Sequence, residues 1–374
     1  MPESKGTVLY VGGFELPDRN AAAHRVLNNA KILRELGYNV VFCGIDKEIK
    51  VIPEETTRIS GFESTPMPYP ASSKQWIKQM LDISIYMDMF SKYRDIKLII
   101  CYNLHAVPLA KLLKQAKKRN VKVIADSTEW YGNKLSLNPV KLIKCIDTFL
   151  CMRHFQKKCN GMITISSYLE RYYKKYIKNI MVLPPLVDLE EEKYQNTISQ
   201  QNNVTTLVYS GSPSTSKEAL GDVVKCLSNL TQFNFKLNVV GITESQFLKM
   251  YNVMPNCDKI AFIGKVSHAE ALNAVKQSDY SLIIRPRSRV NMAGFPTKFT
   301  EAISCGTAVI ANNISDVFKY IEDGNNGFKV SLNSLQKDLQ TVLASKEKPA
   351  VKRDIFDYRL WIEPFSEFLK ELDL

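Results

Sequence analysis

The stretch from Val8 to Cys43, VLYVGGFELPDRNAAAHRVLNNAKILRELGYNVVFC, contains the pattern on which the rest of the chain is built. An apolar run of strand length ends at Gly12 and Gly13, and an amphipathic segment follows from about Ala21 to Leu36. A further glycine separates that segment from a second apolar run, Val40 to Cys43. Glycines are typical of the turn after a strand and of the end of a helix, so the stretch predicts a strand, a helix and a second strand.

The same alternation recurs along the chain. In the first half, further strand, helix and strand units are predicted at 98–102, 107–118 and 121–125, and at 162–165, 166–176 and 181–183. A proline-rich insertion, 52–73, and a single helix over about 76–93 separate the first two units. The second half is predicted to have strands at 206–209, 236–240, 260–263, 281–284 and 308–311 and helices at 216–230, 268–277, 296–305 and 315–322. Strands that alternate with helices predict parallel sheets covered on both faces, so each half is expected to be a doubly wound α/β domain.

The length of 374 residues suits two domains that each bury a core of their own. The polar stretch from Gln195 to Asn203 has the composition of a linker, so we expect an N-terminal domain at 1–195 and a C-terminal domain at 204–352. Residues 353–374 carry apolar side chains at steps of three or four and are expected to form a helix that packs back across the interdomain junction. Pro364 is expected to kink or divide that helix.

Composition excludes several classes of protein. Hydrophobic residues make up 45% and charged residues 24%, which is typical of soluble globular proteins rather than of disordered or fibrous ones. No apolar run approaches the roughly 18 residues that span a bilayer, and the N-terminus lacks the pattern of a signal peptide. The eight cysteines form no C-x-x-C pair and mostly lie among apolar neighbours, so a reducing, cytoplasmic location is expected.

The net charge of +12 is unevenly distributed. Residues 1–190 hold 29 Lys and Arg against 18 Asp and Glu, whereas residues 191–374 hold 21 against 20. A basic first half attracts the phosphates of lipid headgroups, phosphorylated substrates or nucleic acid, although the run from Lys114 to Arg119 is equally typical of a solvated helix face. Nucleic acid is the least favoured partner, because aromatic residues are not interleaved with the basic ones in any recognisable module.

Glycine turns at predicted strand ends indicate a phosphate site. Parallel sheets bind ligands at the carboxyl ends of their strands, where helix N-termini present free N–H groups. Gly12 and Gly13 would let backbone amides approach a pyrophosphate, although a plain tight turn explains them equally well. Gly211 also follows a strand, and Lys217 six residues later would aim a positive charge at a diphosphate unless it is an ordinary surface lysine.

Another strand end carries a cluster of arginines. Arg285, Arg287 and Arg289 follow a predicted strand and precede Gly294-Phe295-Pro296-Thr297, which opens a helix that bears Lys298 and Glu301. Clustered arginines neutralise an anion, and the first amides of a proline-started helix point outward toward it. The Glu301 carboxylate lies about one turn into the helix, where it would accept hydrogen bonds from two ribose hydroxyls. The alternative is a solvated helix surface.

Two acidic residues follow the predicted strand at 121–125. Asp126 and Glu129 lie in a strand-end loop and are candidates for acid, base or hydroxyl-binding groups. The alternative is a capping box, in which Asp126 or Ser127 caps a following helix and Glu129 completes the box. The four histidines are far apart and no H-E-x-x-H or D-x-D spacing is present, so no metal site is predicted.

Several of these segments together resemble a known enzyme family. The segment AGFPTKFTEAISCGTAVIA, from Ala293 to Ala311, and the pair Gly211 and Lys217 are similar to the C-terminal domain of retaining nucleotide-sugar glycosyltransferases of the GT-B fold, in family four or group 1. ITISSYLERYY with LPPLVD, FIGKVSHAEALNAVKQSDYSLII and Asp323 to Gly327 extend the resemblance over nearly the whole chain. The resemblance implies two Rossmann-like domains that face each other across a cleft.

The resemblance also implies roles for named residues. Glu301 would bind the donor ribose and Lys217 the diphosphate, while amides around Phe295 to Thr297 would hold the sugar. Gly12 and Gly13 would close over the donor from the first domain. The expected donor-binding residues are Gly12, Gly13, Gly211, Ser212, Lys217, Arg285, Arg287, Gly294, Phe295, Pro296, Thr297, Lys298 and Glu301, and the expected catalytic residues are Asp126, Glu129, Lys217 and Arg285. No metal and no cofactor is implied, since the nucleotide diphosphate sugar is itself the donor substrate.

The chain departs from the family pattern at three positions. Many relatives have a second glutamate eight residues before Glu301, where this chain has Ala293, and an arginine next to the glycine of the lysine loop, where it has Ser212. Arg285 or Arg287 is expected to supply the missing charge. Many relatives also have a histidine where this chain has Thr128, so the resemblance is weaker in the loop that carries Asp126.

The leading hypothesis is a retaining glycosyltransferase of the hexosyltransferase type, of the kind that assembles bacterial surface polysaccharides, which moves a sugar from a nucleotide diphosphate sugar to a saccharide acceptor. The basic first half further predicts a lipid-linked acceptor and an enzyme in the cytoplasm, peripheral to the anionic inner face of the cell membrane. Two alternatives stay open: a sugar-nucleotide epimerase or hydrolase of the same fold, and a non-catalytic nucleotide-sugar binding protein.

Overall fold

The structure is a computed structural model, and it describes residues 4–17, 19–132, 138–195, 204–345 and 349–374. The chain forms two compact units, of which the first comprises residues 1–186 and 358–374 and the second residues 187–357. The first division thus comes after Leu186, before the linker-like stretch in which the sequence places it, and residues 196–203 of that stretch lie outside the described residues. The second division comes after Asp357, a few residues beyond the predicted end of the C-terminal domain.

The first unit is built on a mainly parallel sheet. Its strands in chain order are β1 (Thr7–Gly12), β2 (Asn39–Cys43), β3 (Ile45–Asp46), β4 (Thr57–Ile59), β5 (Phe62–Ser64), β6 (Met67–Pro68), β7 (Ile96–Tyr102), β8 (Lys122–Ser127), β9 (Gly161–Thr164) and β10 (Ile180–Val182). Its helices up to residue 186 are α1 (Ala21–Glu35), α2 (Ser73–Leu81), α3 (Ser84–Lys92), α4 (Ala106–Lys118), α5 (Pro139–Leu150) and α6 (Ser167–Tyr173). Eight of the strands form one sheet in the order β10-β9-β8-β7-β1-β2-β5-β4, in which only β4 and β5 pair in antiparallel fashion, and β3 pairs with β6.

The second unit is built on a fully parallel sheet. Its strands are β11 (Thr205–Ser210), β12 (Phe235–Val240), β13 (Ile260–Gly264), β14 (Tyr280–Ile283), β15 (Ala308–Asn312) and β16 (Gly327–Val330). Its helices are α7 (Leu220–Ser228), α8 (Glu244–Tyr251), α9 (His268–Lys276), α10 (Arg289–Ala293), α11 (Thr297–Ser304) and α12 (Leu335–Ala344). The strand order is β13-β12-β11-β14-β15-β16, so the predicted doubly wound α/β class is confirmed.

Both sheets reverse their winding at the first strand of the unit. In the first unit the chain runs from β1 outward to β2 and then returns to β7 on the other side of β1. In the second unit it runs from β11 to β12 and β13 and then returns to β14 on the other side of β11. Ligands of open α/β sheets bind at the carboxyl ends of the strands at such a reversal, so the ends of β1 and β7 and of β11 and β14 are the places where a site is expected.

The quoted segment folds as its pattern predicts. All six residues of β1 are buried, as expected for a strand covered on both faces. The Asn20 side chain caps α1 by accepting a hydrogen bond from the amide of Ala23. Gly37, with a φ of 90°, follows the end of the helix in a backbone conformation that favours glycine. These local signals explain why the first strand, helix and strand are read correctly from the sequence.

Several elements differ from their predicted form, among them the helix expected over 315–322, which is only a short 3-10 turn, Val317–Lys319. The single helix expected over 76–93 is two helices, α2 and α3, because the Asp82 carboxylate accepts a hydrogen bond from the amide of Ser84 and starts a new helix. The helix expected from Ser216 begins only at Leu220, since 215–217 form a turn. Helix α5, which covers Pro139 to Leu150, was not predicted.

The C-terminal segment belongs to the first unit. Helix α13 (Ile362–Lys370) places Phe365, Phe368 and Leu369 in the same apolar core as Val8 of β1. The helix expected over 353–374 is shorter, since two 3-10 turns, Arg353–Phe356 and Tyr358–Trp361, precede α13. Pro364 neither kinks nor divides α13, because it lies in the first turn, where its missing N–H has no intrahelical partner to lose.

The cysteines are all free thiols. Five of the eight are buried, namely Cys43, Cys101, Cys151, Cys159 and Cys305, and the other three are partly buried. Burial raises the pKa of the Cys43 thiol to about 12, so it behaves as a small apolar side chain. Within the described part of the chain, no helix combines the length and the apolar character needed to cross a bilayer.

Candidate functional site

The candidate site lies in the second unit, at the carboxyl ends of β11 and β14. Gly211 follows β11 directly, and Arg285 comes two residues after β14 ends. These two strands are neighbours at the point where the winding of the sheet reverses. The topology therefore brings together two of the strand ends that the sequence singles out.

Glu218 joins the two basic residues at these strand ends. Its carboxylate oxygen Oε1 lies 3.0 Å from Nη2 of Arg285 and 3.3 Å from Nζ of Lys298. The Glu218 side chain is only 6% exposed, so this contact is shielded from water. The buried carboxylate thus allows two cations to lie side by side. Without it, their like charges would repel each other. Sequence reasoning missed Glu218, although its position directly after Lys217 was a usable signal.

Lys298 is the second largely buried cation of the site. Its Nζ donates a hydrogen bond to the Tyr209 hydroxyl at 3.0 Å and lies 4.2 Å from the centre of that ring. Burial lowers the pKa of Lys298 from its usual value, and the charge of Arg285 lowers it further, while Glu218 acts in the opposite direction. An additional anion nearby would therefore stabilise the protonated form of Lys298.

Gly211 makes room for Lys298. Its φ is 119°, a conformation that side chains other than that of glycine rarely adopt, and a Cβ atom at this position would lie 2.6 Å from Cε of Lys298. The N–H of Gly211 donates to the carbonyl oxygen of Val240, so this amide is already used within the sheet. Gly211 thus serves to let the Lys298 side chain approach closely. It does not serve to donate its own amide to a ligand.

Arg285 is fixed through its backbone. Asn312, at the end of β15, accepts a hydrogen bond from the Arg285 amide at 2.9 Å and donates one to the Arg285 carbonyl oxygen at 2.8 Å. The Nε atom of Arg285 is buried and has no hydrogen-bond partner among the described residues. A guanidinium with a buried N–H that lacks a partner retains the capacity to donate to a phosphate oxygen.

Asn291 ties the lysine loop to the arginine segment. Its side-chain amide donates to the carbonyl oxygens of Pro286, at 2.8 Å, and of Lys217, at 3.3 Å. The amide of Ala219 also donates to the carbonyl oxygen of Ile284 at 3.0 Å. These contacts hold the backbone of Lys217 beside the end of β14, while its side chain is exposed. Ser212 and Arg287 are exposed as well.

Helix α11 begins at this site. Pro296 precedes the helix, so Thr297 and Lys298 occupy its first two positions, where backbone N–H groups lack intrahelical partners. Gly294 connects α10 to Pro296 and donates its N–H to the carbonyl oxygen of Val290. Phe295 is buried, and its ring packs against Phe299, Tyr320 and Phe356. The aromatic cluster anchors the start of the helix and leaves its first amides as candidate anion donors.

Glu301 lies one turn further along α11. Its side chain is 25% exposed, and its Oε1 atom lies 3.5 Å from Nε2 of His268, the first residue of α9. Ala293, at the position where many relatives have a second glutamate, is completely buried. The histidine beside Glu301 was not predicted as a site residue, because 33 positions separate the two in the sequence.

Asp126 requires a correction, because the structure places it inside the first unit. Its carboxylate is fully buried and accepts hydrogen bonds from Nε and Nη2 of Arg25, at 2.9 and 2.8 Å, and from the Tyr10 hydroxyl at 2.6 Å. Burial and the neighbouring carboxylate raise the pKa of Tyr10, so its hydroxyl stays protonated and donates. Arg25 also donates to the carbonyl oxygen of Leu183. Asp126 therefore has a structural role in joining α1 to β8, and we withdraw it as a catalytic candidate.

The rest of the Asp126 loop divides between core and surface. Thr128 is buried and donates to the Tyr102 hydroxyl at 3.4 Å, whereas Glu129 is exposed. The capping-box alternative is wrong, because Ser127 ends β8 and no helix begins in the described residues that follow it, up to residue 132. Glu129 is thus the carboxylate of this loop that a ligand can reach.

Gly12 and Gly13 serve the contact between β1 and β7. Gly12 has a φ of 139°, and a Cβ atom there would lie 1.8 Å from the carbonyl oxygen of Tyr102. The N–H of Gly13 donates to that same oxygen at 3.0 Å. The close approach of two strand ends accounts for Gly12, and the amide of Gly13 that was expected to face a pyrophosphate is already bonded within the unit.

The chemistry of the second-unit site favours an anion. Arg285 and Lys298 surround one buried carboxylate, the N-terminus of α11 adds its first amides, and Lys217 and Arg287 are exposed nearby along the chain. Within the described ranges no group of three or more His, Cys, Asp and Glu is arranged to hold a metal ion. Such a set of cations and helix amides is suited to the oxygens of a phosphate or diphosphate.

Comparison with known proteins concerns the fold and the second unit. Residues 190–353 match the family model of glycosyl transferases group 1, and no curated protein matches the chain. A glycosyltransferase from Rickettsia africae ESF-5 is similar in structure, with a TM-score of 0.68 and 15% identity over 100% of this chain and 99% of that one. A sucrose-phosphate synthase from Thermosynechococcus elongatus gives 0.67 and 13% over 98% and 99%, and the apo form of the lipopolysaccharide outer core galactosyltransferase WaaB gives 0.59 and 15% over 98% and 99%. At these identities the likeness shows the fold, which the chain shares with these enzymes along its whole length.

Proposed function

We propose that this chain, whose second unit matches the group 1 glycosyltransferases, is a retaining glycosyltransferase that moves a hexose from a nucleotide diphosphate sugar to a saccharide acceptor. The observation that carries the proposal is the pairing of Arg285 and Lys298 on Glu218 at the strand ends where the sheet of the second unit reverses. In a parallel sheet this is the position at which a nucleotide is bound.

The diphosphate is the part of the donor that this site suits best. A phosphate would contact the same two cations as Glu218 does. It would also accept a hydrogen bond from Nε of Arg285, which has no other acceptor among the described residues. Lys217, on the exposed turn before α7, would add a flexible positive charge. As the bond between sugar and phosphate breaks, negative charge grows on the leaving diphosphate, and cations already in place stabilise that charge.

Glu301 is proposed to bind the ribose. Its partly exposed carboxylate lies on α11 one turn beyond Thr297, and an ionised carboxylate accepts hydrogen bonds from two hydroxyl groups. The amides of Thr297 and Lys298 at the start of the helix are proposed to hold the sugar or its phosphate. In the first unit, the exposed Glu129 is proposed as a ligand for acceptor hydroxyls.

Metal independence is part of the proposal. The cations of Arg285, Lys298 and Lys217 supply charge that a divalent ion supplies in other nucleotide-sugar enzymes. Turnover is therefore expected to survive an excess of EDTA, measured as release of the nucleoside diphosphate.

The acceptor is proposed to be lipid-linked, and the protein to act in the cytoplasm at the anionic face of the membrane, in the assembly of surface polysaccharide. The support is the excess of Lys and Arg in residues 1–190, 29 against 18 acidic residues, together with the likeness in fold to a lipopolysaccharide galactosyltransferase. A basic surface concentrates the protein where anionic lipids carry its substrate.

The test of function has two stages. A thermal-shift screen of nucleotide sugars identifies the donor, since a ligand that binds the native state raises the melting temperature. Release of nucleoside diphosphate is then followed with and without saccharide acceptors, in the wild type and in Glu301→Gln and Lys217→Ala. Glu363→Gln and Lys225→Ala, at exposed positions outside the site, are the matched controls.

The outcomes separate the alternatives. Acceptor-dependent release that both site variants reduce at least about tenfold, with the controls unaffected, supports the transferase. Release or epimerisation without any acceptor would favour the epimerase or hydrolase. Tight donor binding without turnover on any acceptor would favour a non-catalytic binding protein and would overturn the proposal.

A further inference from the structure

Helix α5 buries a charge and exposes four of its seven apolar residues. Seven of its twelve residues are apolar, yet Asp147 is the only one of the twelve that is buried. A surface helix of a globular domain ordinarily does the reverse, with its apolar stripe against the core and its charges in water. Exposure of large apolar side chains to water is unfavourable. A patch of them on one helix is therefore explained if the patch contacts something other than water when the protein acts.

Four large side chains form the exposed stripe, which we call the apolar face. They are Leu142, Ile146, Phe149 and Leu150, with 36, 51, 48 and 38% of their surfaces exposed. Their spacing of four, seven and eight residues from Leu142 places them on one side of the helix. Single exposed apolar residues are ordinary, whereas four on one helix face make a contiguous patch that marks an interaction site.

The orientation of α5 is fixed by polar contacts. The Asp147 carboxylate accepts a hydrogen bond from the amide of Ala106 at 2.8 Å and lies 2.7 Å from Nδ1 of His105. The Asn138 side chain caps the start of the helix by accepting from the amides of Val140 and Lys141. The contacts of Asp147 with the start of α4 hold the polar side of α5 against the domain. The apolar face of α5 therefore points away from the domain.

The apolar face lies in a strongly basic stretch of the chain, and an arginine contacts it. Nine Lys and Arg but only two Asp and Glu lie between residues 138 and 178, and one of those two acids is the buried Asp147. The Arg153 guanidinium lies 5.2 Å from the centre of the Phe149 ring, and Nζ of Lys157 lies 3.6 Å from the centre of the Tyr176 ring. Tyr176 is itself 53% exposed. An apolar helix face with a cation beside it, in a basic stretch of chain that also carries an exposed tyrosine, fits a helix that lies in a membrane interface.

We propose that α5 docks on an anionic lipid bilayer, with the apolar face inserted at the boundary between headgroups and acyl chains and the flanking Lys and Arg on the lipid phosphates. A second copy of this chain fits the surface less well, since it would bring one basic flank against another. This proposal rests on the proposed function only for the purpose of docking, which is to bring the enzyme to a lipid-linked acceptor. Docking itself requires neither donor nor catalysis.

The experiment is sedimentation of the full chain with vesicles of phosphatidylcholine alone and of phosphatidylcholine mixed with phosphatidylglycerol. The apolar-face variant is Ile146→Ser with Phe149→Ser, and the charge variant is Lys141→Gln with Arg153→Gln. The matched control is Met254→Ser with Ile263→Ser, whose side chains are 64 and 49% exposed in the second unit. Phe149→Trp provides a readout that does not depend on loss of binding.

The wild type should bind only the mixed vesicles. The apolar-face variant should lower the partition coefficient at least about tenfold at any salt concentration, since it removes inserted apolar surface. The charge variant should lower it about tenfold at low salt, with a difference that shrinks at high salt. The Met254→Ser and Ile263→Ser control should stay within about twofold of the wild type, and the fluorescence of Phe149→Trp should shift to the blue on the mixed vesicles.

Three results would overturn the proposal. These are equal partitioning of the wild type and the apolar-face variant, an unshifted Phe149→Trp emission on mixed vesicles, and a wild-type dimer that the apolar-face variant dissociates. Failure of the proposed function is distinguishable, because it would appear as absent donor turnover in a protein that still binds the mixed vesicles through α5. Donor binding without vesicles should be equal in the wild type and the apolar-face variant, which checks that the variant is folded.

Discussion

Lys298 lies in surroundings that oppose its own charge. Burial and Arg285 lower its pKa, and Glu218 offsets them only in part. The residue will therefore lose its proton, and with it one positive charge, at a lower pH than an ordinary lysine. A bound diphosphate favours the protonated form, so binding takes up a proton in the range where Lys298 titrates.

This arrangement predicts a pH dependence of nucleotide binding. The affinity of the wild type for its nucleoside diphosphate should fall as the pH rises through the lowered pKa of Lys298. In Lys298→Arg the guanidinium stays charged, so the fall should be shallower. Calorimetric titrations of both proteins from neutral to alkaline pH check this, and the ionisation of the ligand itself cancels because it is common to both. Parallel curves for the two proteins would show that Lys298 does not face the nucleotide.

Gly211 is the second residue whose identity the site requires. In Gly211→Ala the new methyl group would meet Cε of Lys298 at 2.6 Å in a backbone conformation that alanine rarely adopts. The lysine must move, so we expect an affinity for the nucleoside diphosphate at least about tenfold lower, with a loss of about 1–2 kcal/mol in the free energy of unfolding.

Gly324→Ala is the matched control for this change. Gly324 also has a positive φ, of 77°, but a Cβ atom there would meet nothing within 4 Å. The control should therefore share the loss of stability through backbone strain and keep the nucleotide affinity. If both variants lose affinity equally, the contact between Gly211 and Lys298 has no part in binding.

At the scale of elements, the buried ion pair of Arg25 and Asp126 joins α1 to β8. The two side chains are 3 and 0% exposed, and they are 101 positions apart in the sequence. A buried pair contributes little over an apolar pair of the same shape, but removal of one member leaves an uncompensated charge in the interior. A single substitution at either position should therefore destabilise the first unit.

Asp126→Asn should accordingly lower the free energy of unfolding by about 3–5 kcal/mol, because it leaves the Arg25 charge buried without a counter-charge. Donor turnover per folded molecule, measured below the melting temperature, should change less than about threefold. The control Glu363→Gln breaks an ion pair whose side chains are 74 and 67% exposed, and it should change stability by at most about 1 kcal/mol. A collapse of turnover in folded Asp126→Asn would restore this residue as a catalytic candidate.

At the scale of the whole molecule, the chain crosses from the first unit into the second and returns. Residues 358–374 complete the first core, where Phe365 is fully buried together with residues of β1 and β7. The second unit has a separate core, formed by residues from 207 to 343. Because each core is continuous within its own unit, a substitution in one core should act on that unit first.

Phe365→Ala tests this organisation. It should lower the free energy of unfolding of the first unit by about 3–5 kcal/mol, since it opens a cavity in a fully packed core. Differential scanning calorimetry should show the transition of the first unit moved to lower temperature, and nucleoside diphosphate should still raise that of the second unit. Leu360→Ala, at a position 54% exposed, is the control and should leave both transitions in place. A single transition that shifts as a whole would contradict independent cores.

The sequence by itself determined the class of the fold and the strand ends at which we propose that the donor binds. Alternating apolar periods and glycine turns are local signals, and they act within a few residues, so β1, α1 and β2 and the strand ends at Gly211 and Arg285 could be read directly. Only the tertiary structure decided what surrounds these positions. Glu218 meets Arg285 across 67 positions and Asp126 meets Arg25 across 101, so no local pattern shows that one acid organises the candidate site and the other is structural. The apolar face of α5 was likewise invisible, because an apolar run predicts burial and only the packed domain shows which side of a helix stays outside.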